Sequence, residues 1–207
     1  MTWKSHTDNI ANKISRTTGL LNKLKHYLPS SILETLYKSL ILCHLNFSIL
    51  AWGFQHSRLS KLQKKAIRTI TNSKYNAHTE PLFKKLNLLK LEDIFKRRTL
   101  QFYFKHKNNS FPVYLQSIQF SQASEIHHHN TRNRNRLYPS LVNRKFAENC
   151  IRNYVAKLVN ETDECILDKI STHSYKGFSD YVKHCYILQY KLECTILNCY
   201  ICNNNNR

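Results

Sequence analysis

The chain has 207 residues, 42% of them apolar and 12% aromatic, with 32 Lys and Arg against 13 Asp and Glu. That apolar content excludes a simply disordered chain, and the length supports one compact domain or two small ones. A formal charge of +19 costs self-repulsion at this size, so the composition points to a phosphate-rich partner.

With three glycines and four prolines, helix is the default along the chain. Ile10, Ile14, Leu21, Leu24 and Leu28 repeat at helical spacing through 6–28, and Pro29 stops that helix. Ser31 and Glu34 form a capping-box pattern that starts the next one. The apolar run 32–54 contains Glu34, Lys38, His44 and Asn46, so it reads as a buried helix breaking near Asn46 and ending at Gly53, not as a membrane span. Trp52 and Trp3 are core or hinge anchors in this reading.

The next helix covers "LSKLQKKAIRTIT", 59–71. Leu59, Leu62, Ala66, Ile67 and Ile70 fall on one arc, and Arg58, Lys61, Lys64, Lys65 and Arg68 on the opposite one, with no acid in the run. Residues 72–82 are a turn-rich connection, and Thr79 is placed to cap a short helix over 80–87 that carries Pro81 in its first turn. Leu91, Ile94, Phe95 and Phe102 mark a helix over about 90–107, again basic at Lys96, Arg97, Arg98 and Lys105.

Beyond it, 108–140 has prolines near both ends and no sustained period, and reads as a long basic linker with one short element around 112–120. Phe146, Cys150, Ile151, Tyr154 and Leu158 define another amphipathic helix. Phe178, Tyr181, Val182, Cys185, Leu188 and Leu192 define a last one. The fold class is therefore all-α: a helical domain over 1–107, the linker over 108–140, a smaller helical subdomain over 141–202 and an unfolded tail over 203–207.

Charge is unevenly distributed. Residues 1–75 carry 12 bases and 2 acids, 76–140 carry 11 and 4, and 141–207 carry 9 and 7. A located binding surface accounts for that asymmetry better than a solubility bias. Nucleic acid ranks ahead of an anionic membrane, because the basic helix lacks the exposed Trp and Phe of an interfacial anchor. The polar "MTWKSHTDNI" is no signal peptide, and seven scattered cysteines are expected to stay reduced, in the nucleus or cytoplasm.

Smaller constellations have plainer roles beside the chemical ones. Arg132, Arg134 and Arg136 in "TRNRNR" would line one side of an extended strand, with Tyr138 placed to stack on a base; a basic loop without a partner fits equally well. "HHH" at 127–129 lacks a Cys or carboxylate at ligand spacing and is read as a polar loop. Cys199 and Cys202 have zinc-knuckle spacing, with Cys194 and His184 near, but no complete ligand set, so no metal residue is assigned. "FYF" at 102–104 points in three directions, so at least one ring must be core.

Several phrases occur together and in order: "TWKSHTDNIANKISRTTGLLNKLKHYLP", "LETLYKSLILCHLNFSILAWG", "LQKKAIRTIT", "YNAHTEPLFKKLNLLKLEDIF", "FP" and an "H…TR" element at 129–132. As a set they resemble the region just downstream of the reverse transcriptase palm in non-LTR (LINE-like, jockey-like) retrotransposons. The likeness covers 2–140, and 141–190 more weakly. The resemblance implies a thumb and post-thumb region of an RNA-directed DNA polymerase. The family's catalytic aspartates lie upstream in a palm motif that holds metal ions. Here Asp8, Asp93, Asp163, Asp168 and Asp180 are isolated and no Asp-Asp pair exists. By the resemblance the chain starts at the palm-to-thumb junction and looks like a truncated product or remnant of a retroelement. It has no catalytic residues and no cofactor of its own; a divalent metal such as Mg²⁺ would belong to the missing palm.

The implied partner is RNA or an RNA–DNA duplex, gripped through phosphates by Arg58, Lys61, Lys64, Lys65 and Arg68, then Arg97 and Arg98, then Arg132, Arg134 and Arg136. An ordinary solvated basic face is the plain alternative for α-helical cations. Two rival functions stand beside it: a free-standing helical RNA-binding or scaffold protein, and a polymerase part acting with a palm domain supplied elsewhere.

Overall fold

In the computed structural model, residues 3–54, 56–126, 134–140 and 150–192 are described, and they are helical with turns and no strand beyond an isolated bridge between Gln122 and Leu137. The architecture is all-α. Two units divide the described residues: one holds those of 3–94 together with 184–192, the other those of 95–183. The boundaries drawn from sequence, at 107 and 140, therefore fall elsewhere.

In the first unit, α1 (Lys4–Leu24) buries Ile10, Ala11, Ile14, Thr18 and Leu21, one stripe at three- and four-residue spacing. It stops short of Leu28, which closes a turn onto the Leu24 carbonyl at 3.0 Å. α2 starts at Ser30 and keeps α geometry over Ser30–Tyr37, widens into a π-helical turn over Lys38–Leu42, then resumes over Cys43–Asn46. Its buried residues Leu33, Tyr37, Ile41 and Leu45 recur every four residues. An α-helix would carry such a row steadily around its surface; the wider turn holds it on one side.

The capping box does not form. Extended Pro29 is the cap, so Ser31 already lies inside the helix, and Glu34 pairs instead with Lys38 at 2.6 Å. The break near Asn46 is present: Phe47 is extended and Ser48 left-handed at φ 49° before α3 (Ile49–Trp52). Trp52 is fully buried and its indole N–H donates to the Phe47 carbonyl at 2.9 Å. Trp3 and Trp52 both lie edge-on or tilted against His6, at 5.9 and 6.1 Å, as anchors of this corner.

α4 (Ser57–Ile70) packs along α1. α5 (Glu80–Lys85) follows, with Pro81 in its first turn; the Thr79 side chain makes no capping bond, its backbone already being near-helical at φ −93°, ψ −20°. α6 (Leu91–Lys107) begins in this unit. Tyr190 closes the unit: its hydroxyl donates to Asp93, accepts the Lys90 N–H at 3.0 Å, and its carbonyl accepts from Lys84 at 2.9 Å. Burial, with Asp93 beside it, raises the Tyr190 pKa, so it stays a donor.

A chain this poor in glycine ends three helices on asparagine. Asn72, Asn87 and Asn109 have φ of 50°, 52° and 49°. After each, the next N–H reaches back past the last turn: Ser73 to Arg68 at 3.0 Å, Leu88 to Phe83 at 3.0 Å, Ser110 to Lys105 at 2.8 Å. These are Schellman stops with Asn in the position glycine usually takes.

The second unit is built on the rest of α6. Phe95 stacks on Tyr154 at 4.5 Å and Phe104 on Phe178 at 4.9 Å. Tyr103 and Phe104 of "FYF" are buried, and Phe102 sits half-buried against Phe111. A 3₁₀ turn at Val113–Leu115 supplies the short element expected near 112–120, and α7 (Ala123–Ile126) follows. Next come α8 (Ile151–Glu161), α9 (Glu164–Leu167), α10 (Lys169–Thr172) and α11 (Tyr175–Leu188), the last crossing into the first unit at residue 184.

The described parts of 108–140 do not behave as a linker. Asn160 and Asn153, two turns apart on α8, each hold the main chain of this segment. The Asn160 amide exchanges bonds with Leu137 N–H and C=O at 2.9 and 2.8 Å, and the Asn153 amide does so with Ser140 at 2.9 and 3.4 Å. Phe111 and Leu137 are buried. The segment lacks helical period because these amides, together with backbone bonds between its distant parts such as Tyr138 N–H to the Ser121 carbonyl and Ala123 N–H to the Arg136 carbonyl, both at 2.9 Å, satisfy its polar groups. On α8 the buried row is Asn153, Val155, Ala156, Leu158 and Val159; Cys150 is exposed, and Ile151 and Tyr154 are half-buried. On α11, Leu188 is exposed; so is Leu192, which lies beyond its end, while Tyr186 and Ile187 are inside. Phe146, the tail from 193, the histidines 127–129 and the cysteines 194, 199 and 202 lie outside the described residues.

Candidate nucleic-acid interface

α4 is amphipathic because its two arcs meet opposite demands. Leu59, Ala66, Ile67 and Ile70 are buried, each large side chain worth about 1.5–3 kcal/mol in transfer. Leu62 is only half-buried, and Gln63 takes the place expected for it, at 1% exposure. The Gln63 amide donates to the Leu89 carbonyl at 3.0 Å and the Tyr37 hydroxyl at 3.1 Å, and accepts the Leu91 N–H at 2.8 Å. It thus ties α4 to α2 and satisfies an otherwise orphan N–H at the start of α6. Burial pushes the Tyr37 pKa up to about 12, with the Gln63 bond opposing that rise.

This anchorage fixes which face of α4 looks outward. Lys61, Lys64 and Lys65 are exposed and make no side-chain hydrogen bond or ion pair among the described residues. Arg58 is exposed as well but pairs with Asp8 of α1, which offsets its charge at that end. With Arg58, Lys61, Lys65 and Arg68 spaced three, four and three residues apart, the cations form a row along the helix.

Arg68 departs from the sequence reading. It is half-buried, its Nε donates to the Ala77 carbonyl at 2.8 Å, and burial lowers its pKa while the Tyr75 hydroxyl opposes that. The helical wheel puts Arg68 opposite Leu59, but the loop after Asn72 folds back over that side. It stays cationic, with part of its guanidinium committed to the loop.

Arg97 departs further. In the second unit it binds the Ser179 carbonyl at 3.0 Å through Nε and the Ser179 hydroxyl through Nη2, with Asp180 at 3.7 Å. Gln101 donates to the same hydroxyl at 2.6 Å. Burial and neighbouring Arg98 depress its pKa, opposed by Asp180. Arg97 is a pin between α6 and α11, not a free cation. Arg98, half-buried, donates to Gln101 at 3.1 Å. Arg134 and Arg136 are exposed on the segment whose carbonyls receive the Ser124 and Ala123 N–H groups, at 3.0 and 2.9 Å. Arg132 lies outside the described residues.

So one group of the expected cations, on α4, is brought together, and the α6 pair belongs to the other unit's packing. Two residues near α4 were missed: Lys25, at the end of α1, and Tyr75, which is 91% exposed beside Arg68. An aromatic within the polar run "NSKYNAH" was the available signal. Among the described residues no group of His, Cys, Asp and Glu could hold a metal, and no helix is long and apolar enough to cross a membrane.

Comparison with protein-family models, with curated proteins and with solved structures finds no match to this chain.

Proposed function

We propose that the chain is a non-catalytic, thumb-like piece of a non-LTR retrotransposon reverse transcriptase that holds RNA or an RNA–DNA template–primer on the outer face of α4. The observation that carries this reading is the acid-free row of exposed lysines, Lys61, Lys64 and Lys65, on a helix whose other side is locked by Gln63 and a leucine–isoleucine stripe. Like charges at helical spacing repel, so a row kept uncompensated is best explained by an anionic partner. The co-linear phrases of the sequence supply the family and the kind of duplex. Grip on phosphates without reading bases suits a face with cations and no base-reading amides among them.

The test is a salt titration with the full chain and a short RNA–DNA hybrid. Each lysine that neutralises a phosphate adds about 0.7–0.9 to the slope of log K against log salt, so replacing the three lysines by alanine should reduce it by about 2–3. Affinity for unrelated sequences should fall alike. An unchanged slope, or no binding by the parent chain at low ionic strength, overturns the proposal.

A further inference from the structure

Between the C-terminal halves of α1 and α4 lies a groove of about 710 Å³, wholly within the first unit. Sites of this size, roughly 300–1,000 Å³, take small-molecule-sized ligands. Lys25 lines it from the end of α1, Lys65 and Arg68 from α4, and Tyr75 from the loop; no carboxylate lines it.

Three details separate this groove from a chance surface crease. The Ala77 carbonyl holds Arg68 by its Nε at 2.8 Å, and its terminal nitrogens make no hydrogen bond or ion pair among the described residues. That is a fixed guanidinium fork on the wall of a cation-lined groove. Tyr75 keeps 91% exposure although its loop is anchored, Ser73 N–H bonding the Arg68 carbonyl and Ala77 N–H the Lys74 carbonyl, both at 3.0 Å. Gly19 sits well inside α1, where glycine is a poor helix former, and a Cβ there would meet nothing within 4 Å. Packing within the protein does not require that glycine. Its effect is a bare backbone patch on the groove wall.

We infer that this groove holds an unpaired stretch of an RNA strand: a phosphate on Arg68 and Lys65, a base stacked on Tyr75, and the strand lying close against Gly19. The inference rests on the proposed nucleic-acid function and adds a second, single-strand mode to it. An open ring needs an unstacked base, which a duplex interior does not offer. Asn22 and Asn76, also on the groove wall, supply amides for a base edge or a 2′-hydroxyl.

The experiment uses the full chain with fluorescein-labelled oligouridylate and, in parallel, a blunt RNA–DNA hybrid. Tyr75→Ala should weaken oligouridylate binding about tenfold and Tyr75→Phe should not. Gly19→Gln, filling the groove, should weaken it likewise, while Gly19→Ala melts no lower than the parent chain and serves as the folding control. Hybrid affinity should stay within twofold in all four variants. If Tyr75→Ala and Gly19→Gln keep parental oligouridylate affinity while loss of Lys61, Lys64 and Lys65 still weakens the hybrid, the groove fails and the α4 face stands. Equal weakening of both ligands by Tyr75→Ala also overturns the single-strand assignment. Absence of binding to either ligand at low salt removes both proposals.

Discussion

Gln63→Leu is the sharpest test of how α4 is held. The substitution nearly conserves volume at a site that is 1% exposed, so cavity formation contributes little. What changes is polar. The Leu91 N–H, the Leu89 carbonyl and the Tyr37 hydroxyl all lose the Gln63 amide, at positions that are 1%, 5% and 0% exposed. A buried group left without a partner costs about 1–3 kcal/mol, and the added apolar contacts of leucine return part of that. The expected net loss is about 3 kcal/mol. With a urea m-value of about 2 kcal/mol/M, the midpoint should fall by about 1.5 M. Both tryptophans, Trp3 and Trp52, belong to the first unit, so indole fluorescence reads its unfolding without signal from the other. Leu62→Gln is the contrast: Leu62 is half-buried, and its loss should cost only about 1 kcal/mol. A Gln63→Leu midpoint within about 0.3 M of the parent chain, or a larger loss from Leu62→Gln, would refute the clamp.

Other consequences are equally direct. Asn72→Ala should destabilise the first unit by about 1 kcal/mol, because alanine tolerates φ of 50° poorly, while Asn72→Gly should be neutral or stabilising; indole fluorescence in urea separates them. Arg97→Ala should cost the second unit about 2–3 kcal/mol by stripping the Ser179 and Asp180 contacts, yet leave the salt slope of hybrid binding unchanged, which far-ultraviolet dichroism in urea and the salt titration would check. His106 packs against Phe120 at 4.7 Å and its Nδ1 is buried without a partner. Burial and neighbouring Lys107 hold its pKa below the ordinary 6.5, outweighing a main-chain bond to Ile118. The unfolded chain therefore takes up a proton first as pH falls, so this contribution is complete above about pH 6.5 and is lost progressively below it. Urea midpoints of the far-ultraviolet dichroism transition that indole fluorescence does not share, taken at pH 7.5 and 5.5, should drop less in His106→Phe than in the parent; an equal drop would count against it.

Much of the first unit was legible in advance because local rules there act through neighbours in sequence. Ile10, Ile14 and Leu21 announce α1, the break after Asn46 follows from polar residues closing an apolar run, and the α4 arcs separate cleanly. The α4 site was legible to the same extent: Lys61, Lys64 and Lys65 are where the wheel puts them. Gln63 also lay in plain sight, four residues after Leu59 and four before Ile67, mid-stripe; a polar residue there needs partners that periodicity does not supply.

What the sequence settled by itself, then, was helix identity, the position of the basic row and the concentration of charge toward the front of the chain. These depend on spacing and composition alone. Tertiary structure decided which cations remain available. Arg97 carries the same charge as Lys65, but the serine on α11 occupies it, while the returning loop at Ala77 takes only the Nε of Arg68 and so aims its guanidinium. It also decided that the described parts of 108–140 are packed structure, since the amides of Asn153 and Asn160 that hold the main chain at Leu137 and Ser140 come from a helix that begins beyond them. Hydrogen bonds between distant residues leave no period to read, and only the folded chain brings their partners within reach.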